Sequence, residues 1–378
     1  MGEAPVDVAV VGGGVTGGAA ACAFASRGAR VRLFERRDLT RDPNRGDALE
    51  PATMRALEEI GAMPALDRRG ARWARQIIFT DGAERRSARR ELGPNARFVL
   101  NHAEIEAALL EAATGHGAEA CWEAVRSVRR EGGAWMIETA GGVHRARLLV
   151  GADGHRSLVR QAAGIEFPGH DYDHAVVILH AETPSWMADD AAWMIHHRRG
   201  GVILLPTTPA GRCRLVVTVP RDEAAGWLKG SDAELLAILG ARSSRLSDLR
   251  LVRVGGSHVY QVERRHAARY VGEGLALAGD AAHVTHPMGG WGMNIAIRDA
   301  AALAALAAPA VRGGDAKALQ AALRRYEHGQ RPRNARILRA AHLWAKLMAP
   351  GPVGYQVGLA ILGILARARP SGPLPLLR

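Results

Sequence analysis

The sequence predicts an α/β fold: a parallel-sheet domain drawn from both ends of the chain, an inserted and mainly antiparallel β-sheet domain, and a helical C-terminus. Three observations predict it. Residues 6–35 read as strand, glycine turn, helix and strand, the unit from which parallel sheets are built. Residues 172–219 are dominated by the strand-like runs HAVVILHA, GVILLP and CRLVVTV. From Leu275 a buried strand (LALAGDAAH) returns, then a glycine-rich loop, then helices to about Ile364.

Taken in order, VDVAVV is short, apolar and β-branched, as a strand covered on both faces should be. In GGGVTGGAAACAFASRG the glycines give a turn and the alanines a small-faced helix ending near Gly28; ARVRLFE alternates and ends on Glu35. PATMRALEEI reads as a helix stopped at Gly61, and AEIEAALLEAAT as another. CWEAVRSVRR, AWMIETA and VHRARLLVGADG look like a strand meander leading to a further glycine turn. The alanine-rich stretch 300–308 is amphipathic enough to pack as helix. The implied division is 1–75, 101–170 and 266–340 for the first domain, 76–100 and 171–265 for the inserted one, and 341–378 for the C-terminal helices.

Composition bounds the class. With 378 residues, 48% hydrophobic and 23% charged, the chain is neither disordered nor fibrous and is long enough to bury a core without staples. Fifty basic against 38 acidic residues leave a net charge of +12, almost all from arginine, since the lysines are Lys229, Lys317 and Lys346. Such a surface suits anionic small molecules or anionic lipid. Nucleic acid is not expected, because the arginines are scattered and no reader motif is present. Cys22, Cys121 and Cys213 are far apart and odd in number, so neither a disulfide framework nor a metal site is expected, and a reducing, cytoplasmic setting is. Glu3 and Asp7 stand where a signal peptide needs basic residues, and no apolar run of about 18 residues predicts a membrane span.

Gly12, Gly14 and Gly17 form G-x-G-x-x-G between a predicted strand and a predicted helix. Gly12 allows the tight turn, Gly14 lets a pyrophosphate approach the backbone, and Gly17 lets helix and strand pack closely. The helix N-terminus offers amides and partial positive charge to phosphates. Glu35 ends the second strand, where a carboxylate can accept from both ribose hydroxyls and would repel a 2′-phosphate. The turn predicts a Rossmann-like dinucleotide site and does not by itself separate NAD from FAD.

Two further motifs follow: LLVGADGHRSLVR at 148–160 and LALAGDAAHVTHPMGGWGMNIAIRDAAAL at 275–303. With the N-terminal turn, and in this order, they make the chain resemble the flavoprotein aromatic hydroxylases of the para-hydroxybenzoate hydroxylase type, from near residue 6 to near residue 340. The resemblance implies FAD as cofactor and NAD(P)H as a transient reductant. It implies hydroxylation or epoxidation of an aromatic, quinone-like or polyketide-like small molecule with O2, through a peroxide at flavin carbon C4a.

Residue by residue, it implies that Gly12, Gly14 and Gly17, with Val15 and Thr16 between, hold the pyrophosphate, and that Glu35, followed by Arg36, meets the adenosine ribose. Arg45 would lie by the phosphates or the passing nicotinamide, and a strand backbone at Val125 by the adenine. Asp153 and Gly154 would serve both FAD and NAD(P)H. Gly279 precedes Asp280, whose carboxylate would bond the ribityl chain. Pro287, Gly290, Gly292, Met293 and Asn294 would carry the loop against the flavin ring. His102 stands where many members have arginine, which makes that phosphate contact conditional on protonation.

Chemistry supports the loop assignment. Reduction leaves negative charge on one edge of the flavin, and a helix opening near Met293 aims free amides at it. The cofactor carries the hard chemistry, so the lack of a Ser-His-Asp set or metal cluster is expected. A second G-x-G-x-x-G for a resident nicotinamide is missing, and so is the W-x-W-x-I-P segment of flavin-dependent halogenases.

His286-Pro287 replaces a common pair of prolines, and Trp291 a common glutamine or leucine. These three are the substrate-proximal candidates. Trp291 suits domain packing equally, and His283 and His286 read first as hydrogen-bonded structural histidines. His196 and His197 lie on a predicted strand, whose alternation turns only one of them to a pocket. The pocket sheet, with Val176, Ile178, Ile203 and Leu205, is apolar and gives little sign of an anion clamp. The tail has an apolar helix, a Pro350-Gly351-Pro352 break and a second apolar helix with Arg367 and Arg369. It loosely resembles that of ubiquinone-biosynthesis hydroxylases. It suits packing against the first domain, a dimer partner, or peripheral contact with a membrane; a monomer and a homodimer both remain open. Alternative readings are a flavin-dependent reductase or dehydrogenase of an isoprenoid, and a flavin-binding module without turnover.

Overall fold

The computed structural model describes residues 5–36, 48–252 and 258–367. The main strands, in chain order, are β1 (Val6–Val11), β2 (Val31–Phe34), β3 (Gln76–Asp81), β4 (Glu119–Cys121), β5 (Val143–Gly151), β6 (Gly169–Glu182), β7 (Ala191–His196), β8 (Val202–Thr207), β9 (Arg212–Pro220), β10 (His258–His266) and β11 (Leu275–Leu277). The main helices are α1 (Val15–Ala25), α2 (Pro51–Glu59), α3 (His102–Gly115), α4 (Trp291–Arg312), α5 (Ala316–Met348) and α6 (Pro352–Arg367).

The first sheet runs β11-β5-β1-β2-β4 with every pairing parallel, so it takes strands from both ends of the chain. α1 is buried almost throughout, and its alanines let α3 and α4 approach it closely. One run departs from expectation. CWEAVRSVRR is not one strand: Cys121 closes β4, residues 122–126 are irregular, and Ser127–Glu131 starts an antiparallel meander with Ala134–Glu138 that hangs on β5. The chain must reverse there, because a three-residue parallel strand gives way to an antiparallel ladder.

The second sheet runs β10-β6-β9-β8-β7-β3, antiparallel except for β3 beside β7. Alternation sorts its two faces. Ala175, Val177 and Leu179 pack with Trp227, Leu235 and Leu239 on one side. Val176 and Ile178 pack with Ile203, Val216, Met288 and Met348 on the other. That second face therefore meets both the glycine-rich loop and the end of α5. α6 turns back after the Pro-Gly-Pro break and lays Leu362 and Leu365 against Phe79.

α4 is long and apolar enough to cross a membrane, but 67% of that stretch is buried inside the protein. The three cysteines are free thiols, and no metal-binding cluster occurs among the described residues.

Candidate active site

The three sequence motifs meet at the C-terminal ends of β1, β5 and β11. The strand ends are laced together: the Gly12 amide donates to the Phe34 carbonyl (2.8 Å), Ala152 to Val11 (2.9 Å) and Ala278 to Gly151 (3.0 Å). Gly12 has φ +100°, and a Cβ there would stand 2.4 Å from the Ala152 carbonyl oxygen. Gly279, with φ +59°, sits so close to Thr16 that a Cβ would be 2.2 Å from its hydroxyl. α1 opens at Gly14 with no side-chain cap, so its first amides face outward beyond the sheet. Ligands of α/β sheets bind in such a crevice.

Around this crevice Glu35 is buried and accepts from the Gly13 amide at 2.6 Å, which ties the acid to the turn. Arg36 follows it, exposed. Arg45 lies outside the described residues. His102 opens α3, buried and 3.4 Å from Glu106. Val125 is half-buried in the irregular segment before the meander, not in a strand.

Asp153 Oδ2 accepts from the Val159 amide (3.2 Å), while its buried Oδ1 has no hydrogen-bond partner among the described residues. Burial pushes this carboxyl up from the ordinary range. Gly154 takes φ +81°, which only glycine adopts readily. Asp280 lies half-buried in the single turn Gly279–Ala281. The sequence did not single out Arg160, which joins two motifs: it donates to the carbonyls of Ala281 (3.0 Å) and His155 (2.7 Å) and lies over the Phe167 ring.

The glycine loop begins at Pro287, which is exposed, and α4 opens at Trp291 rather than Met293, because the break falls at Gly290 (φ +63°). No side chain caps α4, leaving the amides of its first turn, which includes Gly292 and Met293, for a ligand. The Trp291 indole folds back over Gly289, where a Cβ would collide with it at 2.2 Å. Asn294 is buried and its amide is spent on backbone. It accepts from Glu50 (2.7 Å) and donates to Ala48 (2.9 Å) and Gly290 (2.8 Å), which clamps α4 to the start of α2. His283 bonds Asp299 at 2.6 Å, and Asn334 holds the same carboxylate.

Facing the loop is the second sheet. It places Val176, Ile178, Ile203 and Leu205 together on one face with Met288. That face is less purely apolar than expected. Arg214 pairs with His180 and Leu205 across the ladders and is buried on the same side, as are Tyr172 and His174. His196 shares the face through Met194 and lines an apolar cavity of about 40 Å³ with Phe79, Trp344, Met348 and Leu362, whereas His197 follows the strand end.

These residues fit a dinucleotide carrying a ring that gains negative charge. Two helix N-termini without side-chain caps present amides of the kind that bind anions, the carboxylates of Glu35 and Asp280 are of the kind that could accept from sugar hydroxyls, and the buried Asp153 Oδ1 has no hydrogen-bond partner among the described residues.

Comparison with known proteins agrees. A family model described as "FAD binding domain" matches residues 5–341. The ubiquinone hydroxylase UbiL of Rhodospirillum rubrum is 31% identical over 93% of this chain and 85% of its own length. Among solved structures, P. aeruginosa PqsL in complex with 2-aminobenzoylacetate superposes with a TM-score of 0.79 at 26% identity, covering 91% of this chain and 97% of PqsL. Aklavinone-11 hydroxylase with FAD and aklavinone gives 0.78 at 27%, covering 93% of this chain and 70% of its own.

Proposed function

The chain belongs to the family of FAD-dependent aromatic hydroxylases, and we propose that it inserts one oxygen atom of O2 into an aromatic, quinone-like or polyketide-like guest at the expense of NAD(P)H. The observation that carries this is the convergence of the three motifs on one crevice, with Gly279 on Thr16 and Ala152 under Gly12, beside a largely apolar sheet face. FAD, when bound, takes hydride equivalents from NAD(P)H and activates O2.

The chain's own residues bind, orient and shield. The amides opening α1 would hold the pyrophosphate, Glu35 the adenosine ribose and Asp280 the ribityl chain. The amides opening α4 would stabilise the ring edge that gains charge, and Asn294 fixes that first turn. Met288 and the face bearing Val176, Ile178 and Ile203 form a dry wall for the guest, as a reaction that loses yield to water requires. The arginine-rich surface attracts the anionic reductant, which no second glycine fingerprint retains.

A substrate screen that follows NAD(P)H oxidation by the FAD-loaded protein tests this. Guest-stimulated oxidation is expected. Protein that takes up no FAD contradicts it.

The C-terminal helix favours peripheral membrane contact by a cytoplasmic enzyme. Val353, Val357 and Ile364 of α6 are exposed along one side, with Leu343 of α5 exposed as well. Flotation with liposomes that Val353→Asp abolishes is the expected result. A second copy on this face would instead give a dimer in sedimentation without flotation.

A further inference from the structure

α6 is apolar all the way round, yet the protein covers only one side of it. No charged residue occurs between Pro352 and Ala366. On the covered side Tyr355 stacks on His196 (5.2 Å between ring centroids), and Gly358 lies so close that a Cβ would stand 2.1 Å from His196 Nε2. Leu362 and Leu365 are buried there with Phe79. The opposite side carries Val353, Val357, Ala360 and Ile364, spaced as one helical stripe. All four are exposed, Val353 by 76% and Ile364 by 61%. A helix that faces water puts polar residues on that side. Four of the eight large hydrophobic side chains exposed among the described residues lie between Leu343 and Ile364, so the bare surface is a patch and not scatter.

Basic groups border the stripe. Arg86 Nη1 donates to the Leu359 carbonyl (3.2 Å), which puts a guanidinium about halfway along α6. At the start of the helix the Arg198 carbonyl accepts from the Gly351 amide (2.8 Å), and a Cβ on Gly354 would stand 2.4 Å from the Lys346 carbonyl oxygen. Arg86, Arg198 and Lys346 are exposed, and none is ion-paired among the described residues. The acids close by are occupied: buried Asp81 accepts from the Arg85 amide (2.8 Å), and exposed Glu91 pairs with Arg89 (3.5 Å). The stripe is also held in place. His196 Nε2 donates to the Tyr355 carbonyl (3.0 Å) and Arg90 Nη2 to the Leu365 carbonyl (2.8 Å), so with Arg86 three side chains tether the backbone of α6 along its length.

We propose that α6 docks on a bilayer that carries anionic lipid, with Val353, Val357, Ala360 and Ile364 in the acyl boundary and Arg86, Arg198 and Lys346 at the headgroup phosphates; the inference rests on the membrane reading above and adds the lipid it requires. Long basic side chains keep their charged heads at the interface while an apolar face sinks below them. The charge chooses the partner. A second copy laid stripe on stripe about a two-fold axis would bring the two sets of cations together, on chains that each carry +12. An anionic surface attracts the same cations.

The test is flotation of the FAD-loaded full chain with vesicles of phosphatidylcholine alone or with phosphatidylglycerol added. Binding is expected to rise steeply with phosphatidylglycerol content and to fall with salt. Arg86→Gln, Arg198→Gln and Lys346→Gln combined should lower partition onto the mixed vesicles about 100-fold, roughly fivefold per charge, with flavin uptake unchanged. The double variant of Arg198 and Lys346 keeps the Arg86 bond to Leu359, and should still lose about 25-fold. Ile364→Asp should abolish binding to both kinds of vesicle. Equal binding to both kinds, or combined variants that bind like the wild type, overturns the requirement for anionic lipid and leaves the membrane reading standing. Binding to neither overturns both, and a dimer in sedimentation that Ile364→Asp dissociates would then give the stripe to a second copy.

Discussion

Gly17 faces Gly12 so closely that a Cβ built on Gly17 would stand 1.6 Å from the Gly12 carbonyl oxygen. The contact is backbone on one side and helix on the other, so neither can yield without opening the turn. Gly17→Ala is therefore expected to cost roughly 4 kcal/mol and to yield colourless protein. Thermal unfolding and flavin absorbance of the purified variant check it. A yellow variant of native stability contradicts the account of the turn.

Glu35 holds the Gly13 amide at 2.6 Å in a buried position. Glu35→Ala orphans that amide and removes the acceptor for the ribose. FAD affinity should fall by about 1–3 kcal/mol, or roughly 5- to 150-fold. Glu35→Gln should recover part of the loss, because an amide oxygen still accepts. Quenching of flavin fluorescence on titration with apoprotein reads both.

Asn294 ties the first turn of α4 to Ala48, Glu50 and Gly290. Asn294→Ala should loosen the loop more than the pyrophosphate turn. The expected signature is retained FAD with a larger share of NAD(P)H consumption ending as hydrogen peroxide, since shielding and positioning fail together. Peroxide yield against product yield measures it.

Stability should depend on pH through His286. Its folded pKa of about 3 lies below the ordinary 6.5, so the unfolded chain takes up the proton first as pH falls. The stabilisation is complete above about 6.5 and declines by about 1.4 kcal/mol per unit down to the folded value. Between pH 6.5 and 5 that is about 1.6 kcal/mol. Urea unfolding of the wild type and His286→Gln at the two pH values reads His286 together with its bonded partner His174, because His197 and His266, both lowered to about 4, contribute equally to both proteins.

The parallel sheet and its glycine turns were legible because each is local. A turn needing positive φ must spend a glycine, and Gly12, Gly154, Gly279 and Gly290 do so. The alternation in residues 172–219 likewise separated Val176 and Ile178 from Ala175 and Val177. What stayed hidden depends on partners far apart in sequence. Arg160 is only the last residue of the 148–160 motif until Ala281 is brought beside it. Arg214 reads as one charge in a strand until β6 and β8 fix which side it faces. Asn294 reads as a flavin ligand, yet its side chain serves the protein backbone. The break of CWEAVRSVRR at residues 122–126 had no glycine or proline to announce it.

Oxygen transfer to a guest is the central claim, and product mass under heavy-isotope O2 tests it most directly. FAD-loaded protein, supplied with NAD(P)H and a guest that stimulates its oxidation, should return product carrying one heavy oxygen atom per molecule. Product that forms without the label, with reductant consumed in step, would identify a flavin reductase or dehydrogenase and contradict the account.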